Sequence, residues 1–274
     1  MKWRVINSGI GRAADNMAVD EAMLKAHAAG KVPPTLRFYG WQPAAVSLGY
    51  FQKAVGEVDM EACRRQGIDV VRRLTGGRAV LHDAELTYSL VVSEKQPLVP
   101  ATITASYRFF CQGLLAGLKE LGVEAQMSMP KAAYGQVKRQ PASAACFDAP
   151  SHYEVSYNGR KLVGSAQVRK EGVILQHGSI LLRFDPPRLA SLLRLPTPEA
   201  QEAFVAMITK RAVSLHEAAC REISWDEARR AMEAAFGPAL GIELTADSLT
   251  RGEQAAAKEL AAVKYMQDSW NLLR

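Results

Sequence analysis

The alternation of apolar and polar residues predicts both helices and strands in the first two thirds of the chain. Apolar residues at helical spacing predict helices at residues 15–29, 59–66 and 102–121, with Asp15 as the cap of the first. Shorter runs predict strands at residues 3–6, 35–39, 45–48, 68–74, 79–82, 86–92, 123–127, 153–169 and 173–183. Asn158 and Gly159 split the run at 153–169 into a hairpin, because a two-residue hairpin turn needs positive φ at both central positions.

The pattern changes after Pro186 and Pro187. From there the apolar spacing is helical, at residues 188–193, 199–210, 225–236 and 248–265. The hairpins before this point favour a mixed, mostly antiparallel sheet over a doubly wound one. The predicted fold class is therefore α+β, with a sheet flanked by helices over residues 1–186 and a helical C-terminal extension, residues 187–274, packed on it.

Composition excludes several classes of protein. The chain has 274 residues, 48% of them hydrophobic and 23% charged, as is ordinary for a globular protein. No apolar run approaches the ~20 residues that span a membrane, and the N-terminus has no signal-peptide core, so we expect a cytoplasmic protein without a membrane partner. Cys63, Cys111, Cys146 and Cys220 form no CxxC pair, so neither a metal site nor a disulfide framework is predicted.

The net charge of +6 is unevenly distributed. The excess of basic residues lies in residues 1–197, whereas residues 198–274 are acidic overall. A basic surface favours an acidic partner, such as an acidic carrier protein, although a merely solvated surface would have the same composition. The basic residues form no tract and are not interleaved with aromatic residues, so nucleic acid is not a predicted partner.

The segment RRLTGGRAVLHD at residues 72–83 is unusual in composition. Gly76 and Gly77 lie between two predicted strands and allow a tight turn with close approach of a ligand to the backbone. Three arginines and a histidine around them, Arg72, Arg73, Arg78 and His82, supply donors for a phosphate or a carbonyl. A Gly-Gly hairpin with exposed arginines is the alternative interpretation. The spacing matches neither a P-loop nor a dinucleotide-binding fingerprint.

Cys146 and Lys161 are candidates for covalent chemistry. Cys146 lies among small residues, and Lys161 follows on the second strand of the predicted hairpin. Only a thiolate attacks efficiently near neutral pH, and a nearby cation would favour it, so the hypothesis is that Lys161 activates Cys146. A buried structural cysteine is the alternative. The general base for Cys146 could also be a histidine, and His82, His152 and His177 all remain candidates.

Three separated motifs resemble one protein family. RRLTGGRAVLHDAELTYS at residues 72–89 and KLVGSA at residues 161–166 are similar to the two signatures of the lipoate/biotin protein ligase catalytic fold. KYMQDSWN at residues 264–271 is similar to a terminal motif of the same group. The GGRAVLH form, together with the cysteine in AACF at residues 144–147, resembles the cysteine-dependent octanoyltransferases of Gram-positive bacteria.

The resemblance implies a reaction and its partners. Such enzymes move octanoyl from acyl carrier protein to a lysine of the glycine cleavage H protein or another lipoyl domain, as the first step of lipoate synthesis, without ATP or another cofactor. By this resemblance Cys146 would carry the acyl thioester, and Lys161 would lower its pKa and hold the acyl carbonyl. The residues implied to form the acyl-chain slot are Arg73, Gly76, Gly77, Arg78, His82, Gly164 and Ala166.

Other functions remain open from the sequence. An ATP-dependent lipoate-protein ligase of this fold would usually have a third glycine where this chain has Arg78, and would need no cysteine at position 146. An octanoyl amidotransferase that takes its acyl group from the H protein also uses a cysteine, but with a different glycine segment. A non-catalytic module that docks acidic carriers would share only the basic charge.

Overall fold

The computed structural model describes residues 1–128 and 154–273. Its strands, in chain order, are β1 (Lys2–Gly11), β2 (Thr35–Trp41), β3 (Ala45–Leu48), β4 (Asp69–Arg72), β5 (Val80–His82), β6 (Glu85–Ser93), β7 (Gln126–Ser128), β8 (Glu154–Tyr157), β9 (Arg160–Lys170), β10 (Val173–Leu181) and β11 (Glu243–Ala246). In this part of the chain the main sheet has the order β11-β1-β2-β6-β10-β9-β8-β7, and a small sheet has the order β4-β3-β5.

The main sheet is mixed and mostly antiparallel. Strand β1 runs parallel to β2 and β11, and the pairs from β2 through β6, β10, β9 and β8 to β7 are all antiparallel. In the small sheet, β3 is parallel to β4 and antiparallel to β5. The predicted α+β class with a mixed sheet flanked by helices is therefore confirmed.

The helices cover both faces of the main sheet. They are α1 (Ala13–Ala28), α2 (Ala54–Glu57), α3 (Met60–Arg65), α4 (Ile103–Glu120), α5 (Pro186–Ser191), α6 (Pro198–Arg211), α7 (Leu215–Ala219), α8 (Trp225–Leu240), α9 (Arg251–Leu260), which continues into a π-helical turn (Ala261–Tyr265), and α10 (Asp268–Asn271). Helices α4 and α8 pack on one face in the largest apolar cluster, and α1 and α9 pack together on the other.

Alternation along the strands assigns side chains to these two faces, because successive residues of a strand point to opposite sides. On β2, Leu36 and Phe38 join the apolar cluster with α4 and α8. Arg37 and Tyr39 of the same strand bond to residues of α1 instead. The face under α1 therefore combines buried polar side chains with apolar clusters, and it carries the site described below.

Local sequence rules account for the turns and some of the helix ends. Asn158 and Gly159 have φ of 49° and 75°, as the predicted hairpin requires. Asp15 is not the cap of the first helix, as was predicted: α1 begins at Ala13 after Arg12, and Asp15 lies in its first turn, where an acid still complements the helix dipole.

The C-terminal part contributes to the main sheet as well as to its helical cover. Strand β11 pairs with β1, and α8 packs against α4. Strand β11 and the short helices α7 and α10 were not predicted. The predicted division into residues 1–186 and 187–274 stays a prediction.

Candidate active site

A central cavity lies between the α1 face of the main sheet and the small sheet. Its walls come from α1, β2, β3, β5, β6, β9 and β10. Four of the predicted slot residues line it, namely Arg73, His82, Gly164 and Ala166. Gly76, Gly77 and Arg78 do not line this cavity. The carbonyl oxygens of Gly76 and Arg78 nevertheless accept hydrogen bonds from Arg73, which does line it.

The guanidinium of Arg73 organises the wall of the cavity. The Arg73 residue is 4% exposed. Its Nη2 donates to the carbonyl oxygens of Gly76 and Arg78, at 2.8 Å each. Its Nη1 donates to the carbonyl and the hydroxyl of Ser47, at 2.7 and 3.0 Å, and its Nε donates to Thr75 Oγ1 at 3.2 Å. Five contacts to protein oxygens match the five donors of a guanidinium, so Arg73 shapes the site instead of offering a donor to a phosphate.

One chain of hydrogen bonds leads from Arg73 to helix α1. Nε2 of His177 lies 2.6 Å from Thr75 Oγ1, and Nδ1 of His177 lies 3.1 Å from Oδ2 of Asp20. A carboxylate can only accept, so Nδ1 carries the proton and Nε2 accepts from the hydroxyl of Thr75. Thr75 in turn accepts from Arg73. The ring is thereby fixed in one tautomer at the wall of the cavity.

Asp20 is the centre of a buried polar cluster. Its other contacts are Arg37 Nη1 at 2.8 Å, Tyr39 OH at 3.0 Å and Ser89 Oγ at 2.8 Å. Burial raises the pKa of Asp20, but the hydrogen bond from His177 and the charge of Arg37 outweigh it, so the pKa lies below its ordinary value. Burial lowers the pKa of His177 more than Asp20 raises it. At neutral pH the pair is a carboxylate and a neutral imidazole.

A second series of contacts with the same order of groups leads from Arg73 to β6, and its last link is a close approach of two side chains. Ser47 Oγ accepts from Arg73 and lies 2.8 Å from Nε2 of His82. Nδ1 of His82 lies 3.1 Å from Oε1 of Glu85. The ring of His82 also stacks on Trp41, with centroids 4.0 Å apart. Hydrogen bonds hold His177 between a hydroxyl and a carboxylate, whereas Nδ1 of His82 approaches Glu85 without a hydrogen bond. Arg73 is at the head of both series of contacts.

The loop that contains Gly76 and Gly77 packs against a third glycine, Gly49. A Cβ at Gly49 would lie 2.0 Å from the carbonyl oxygen of Gly77, so the two backbones touch. Gly77 has φ of 96°, a conformation that favours glycine. Tyr50 N also donates to the carbonyl of Thr75 at 2.9 Å. The loop after β3 therefore supports the predicted glycine loop.

Lys161 lies at the start of β9, three residues before Gly164 on the cavity wall. It is buried, and its Nζ lies 3.0 Å from Oε1 of Glu154. Glu154 is the first described residue after position 128 and pairs in the sheet with Ser128. Cys146 and His152 lie outside the described residues, so the predicted pairing of Cys146 with Lys161 stays a prediction.

The three described cysteines do not line the cavity. Burial raises the pKa of the Cys63 thiol to about 11 and that of Cys111 to about 12, so both stay protonated near neutral pH. Cys220 is exposed and caps α7 in a left-handed conformation. Their packing agrees with a structural role for Cys63 and Cys111.

Sequence reasoning missed Asp20, Ser47 and Gly49. Asp20 carried a signal, because an acid that falls on the apolar side of an amphipathic helix must find a buried partner. Ser47 and Gly49 lie in and after a short apolar strand, and no local pattern distinguishes them.

Neither a metal site nor a membrane span is found in residues 1–128 and 154–273. No group of three or more His, Cys, Asp or Glu side chains among them could hold a metal ion. No helix in the same residues is long and apolar enough to cross a bilayer.

Comparison with known proteins identifies the family. The lipoyl protein ligase A/B catalytic domain matches residues 12–237. Octanoyltransferase LipM of Geobacillus kaustophilus is 49% identical over 99% of this chain and 98% of its own length. Octanoyltransferase LipM of Kyrpidia tusciae is 50% identical over 98% of both.

A solved structure agrees with this assignment. A bi-partite lipoate protein ligase from Thermoplasma acidophilum superposes with a TM-score of 0.82 at 28% identity, covering 100% of this chain and 98% of that one. These findings confirm the fold and the acyltransferase class that the three motifs implied. The chain belongs to the lipoyl protein ligase A/B catalytic domain family and, within it, to the octanoyltransferases.

Proposed function

We propose that the protein moves an octanoyl group from acyl carrier protein to a lysine of the glycine cleavage H protein, through a thioester on Cys146, as the first step of lipoate synthesis. The observation that carries the proposal is the position of Lys161. This buried ammonium contacts Glu154 and stands three residues before Gly164 of the cavity wall. The chain between Cys146 and Glu154 spans at most about 28 Å when extended, so the thiol can reach this point.

Two further observations support Cys146 as the nucleophile. Cys63 and Cys111 are buried with raised pKa values, and neither they nor Cys220 line the cavity. A thiol beside Lys161 would instead have its thiolate stabilised by the opposite charge. A thiol nucleophile also suits a reducing compartment, and we propose that the protein acts in the cytoplasm.

The reaction balances without ATP. The Cys146 thiolate attacks the thioester carbonyl of the octanoyl carrier; a new carbon–sulfur bond forms, the bond to the carrier's sulfur breaks, and the released thiolate takes up a proton. The lysine amine of the acceptor then attacks the enzyme thioester, loses a proton and leaves as an amide, and the Cys146 thiolate is regenerated. Exchange between thioesters is nearly neutral in free energy and the amide is more stable, so the second step drives the transfer. In this mechanism the ammonium of Lys161 stabilises the oxyanion of each step.

The cavity supports an acyl substrate, and the charge supports its carrier. Gly164 and Ala166 present no bulky side chain to the cavity from β9, and in this proposal the acyl chain lies along that strand. The net charge of +6 favours an acidic carrier protein as donor. The acceptor would be the H protein or another lipoyl domain.

A transfer assay tests the proposal. Octanoyl-carrier and apo-H protein without ATP should yield octanoylated H protein with the wild type and none with Cys146→Ser. Lys161→Met should lower the rate at least about a hundredfold, whereas Lys170→Met, at the exposed end of the same strand, should leave it unchanged. Undiminished transfer by Cys146→Ser would overturn the proposal. Transfer only from free octanoate with ATP would establish a ligase instead.

A further inference from the structure

We propose that the C-terminal clasp, defined as Lys264, Tyr265, Trp270 and Asn271, positions the glycine loop of the active site, defined as residues 73–79. The clasp meets the loop at Arg72, the last residue of β4. Trp270 Nε1 donates to the carbonyl of Arg72 at 2.9 Å, and the amide of Arg72 donates to Asn271 Oδ1 at 2.9 Å. The inference rests on the proposed function, because it concerns the same site.

The clasp completes the edge of the small sheet. Among the described strands, β4 is an outer strand whose neighbour is β3, to which Arg73 donates from its amide. In a strand the next residue directs its N–H and C=O to the opposite side. Trp270 and Asn271 therefore occupy the hydrogen-bonding positions that another strand would take at Arg72.

Arg72 passes this constraint to the loop that supports the glycines. Its Nη1 donates to the carbonyls of Gly49, Tyr50 and Gln52, at 2.7, 3.1 and 2.8 Å, and its Nε donates to the carbonyl of Trp270 at 3.2 Å. Gly49 in turn touches the backbone of Gly77. The adjacent Arg73 holds the carbonyls of Gly76 and Arg78. A shift of Arg72 would therefore displace both the loop after β3, through Gly49, and the glycine loop, through Arg73.

Helix α1 anchors the other end of the clasp. The hydroxyl of Tyr265 and the ammonium of Lys264 both donate to Glu21 Oε2, at 2.6 and 2.7 Å. The Lys264 ammonium also lies 3.9 Å from the ring centre of Trp270, and Asn271 Nδ2 donates to the carbonyl of Tyr265 at 2.8 Å. Glu21 follows Asp20, which holds His177 at the cavity. Of these two consecutive acids of α1, Asp20 holds the cavity wall and Glu21 holds the clasp.

Trp270 and Asn271 are therefore positioning residues, and their loss should loosen the loop in a folded protein. The experiment uses the full chain carrying Asn271→Ala, with Trp270→Phe as a milder second variant that keeps the ring and loses its N–H donor. Gln267→Ala is the matched control, because its amide bonds to the carbonyl of Ala262 within the same exposed turn. Hydrogen exchange of the amides in residues 73–79 and the kcat/KM for octanoyl-carrier are measured well below the unfolding temperature of each variant.

Exchange in residues 73–79 should become about tenfold faster in Asn271→Ala and kcat/KM should fall about tenfold, with smaller changes of the same sign in Trp270→Phe. Gln267→Ala should match the wild type in both. Wild-type exchange in this loop in both clasp variants would overturn the inference, as would an equal increase in Gln267→Ala. A wild type that transfers no octanoyl would overturn the proposed function alone, because exchange in the loop still decides the role of the clasp.

Discussion

Nδ1 of His177 lies 3.1 Å from Oδ2 of Asp20, so a carboxylate of the first helix holds an imidazole of the cavity wall from 157 positions away. Both groups are buried, and the pKa of each lies below its ordinary value. The same carboxylate neutralises Arg37. Folding and the site therefore depend on the same buried charges.

Acid should destabilise the protein in two stages. The unfolded chain binds a proton at His177 near the ordinary value of 6.5, but the folded chain resists it because its pKa is lower. The free energy of unfolding should therefore fall as the pH drops below about 6.5, and again below 3.8 as Asp20 is protonated. Urea unfolding from pH 8 to 2 measures both stages, and His177→Gln should reduce the slope of the first stage. An unchanged slope would contradict this account.

Replacing Asp20 by a neutral residue should lower the free energy of unfolding at any pH at which Asp20 is ionised. Asp20→Asn leaves the buried guanidinium of Arg37 without its carboxylate, which should cost about 3–5 kcal/mol of unfolding free energy. Asp15→Asn, an exposed acid on the same helix, should change it by less than about 0.5 kcal/mol. Thermal unfolding of the two variants compares them, and equal effects would refute the role of the cluster.

The contact between Gly49 and Gly77 predicts an effect of a single methyl group. In Gly49→Ala the new Cβ meets the backbone at 2.0 Å, so the loop must move, at a cost of about 1–3 kcal/mol and with at least a tenfold loss of transfer rate. Gly56→Ala is the control, because a Cβ there meets nothing within 4 Å. Unfolding curves and the transfer assay report both effects. Full activity of Gly49→Ala would show that the loop tolerates displacement.

Arg73 and Arg78 should respond differently to the same substitution. A lysine at position 73 can donate to at most three of the five acceptors of the guanidinium. Arg73→Lys should therefore lower the free energy of unfolding by about 3 kcal/mol. Arg78 lies 3.5 Å from Glu57 and its side chain is 27% exposed, so Arg78→Lys should cost less than about 1 kcal/mol. Urea unfolding decides, and a mild effect of Arg73→Lys would contradict the organising role of its guanidinium.

The sequence predicted what local rules determine. The Asn158-Gly159 turn follows from positive φ at two positions, and the alternation along the strands follows from burial on one face. Strand β11 could not be predicted in this way, because its short, largely exposed segment is ordered by parallel pairing with β1. For the same reason, the terminal motif indicated a family but gave no sign that Trp270 and Asn271 bond to Arg72.

Four of the residues that the motifs named, Arg73, His82, Gly164 and Ala166, line one cavity. That this cavity takes the acyl chain stays a prediction. The acids next to the two histidines were missed. Asp20 meets His177 only after the chain has folded, and Glu85 fell between the predicted strands at residues 79–82 and 86–92.

The proposed transfer depends most directly on Sγ of Cys146 as the atom that carries the acyl group. Intact-mass spectrometry after incubation with octanoyl-carrier should show one added octanoyl group on the wild type, on Cys63→Ala and on Cys220→Ala, and hydroxylamine should remove it. Cys146→Ala should gain none. A hydroxylamine-labile octanoyl group on Cys146→Ala would contradict the account.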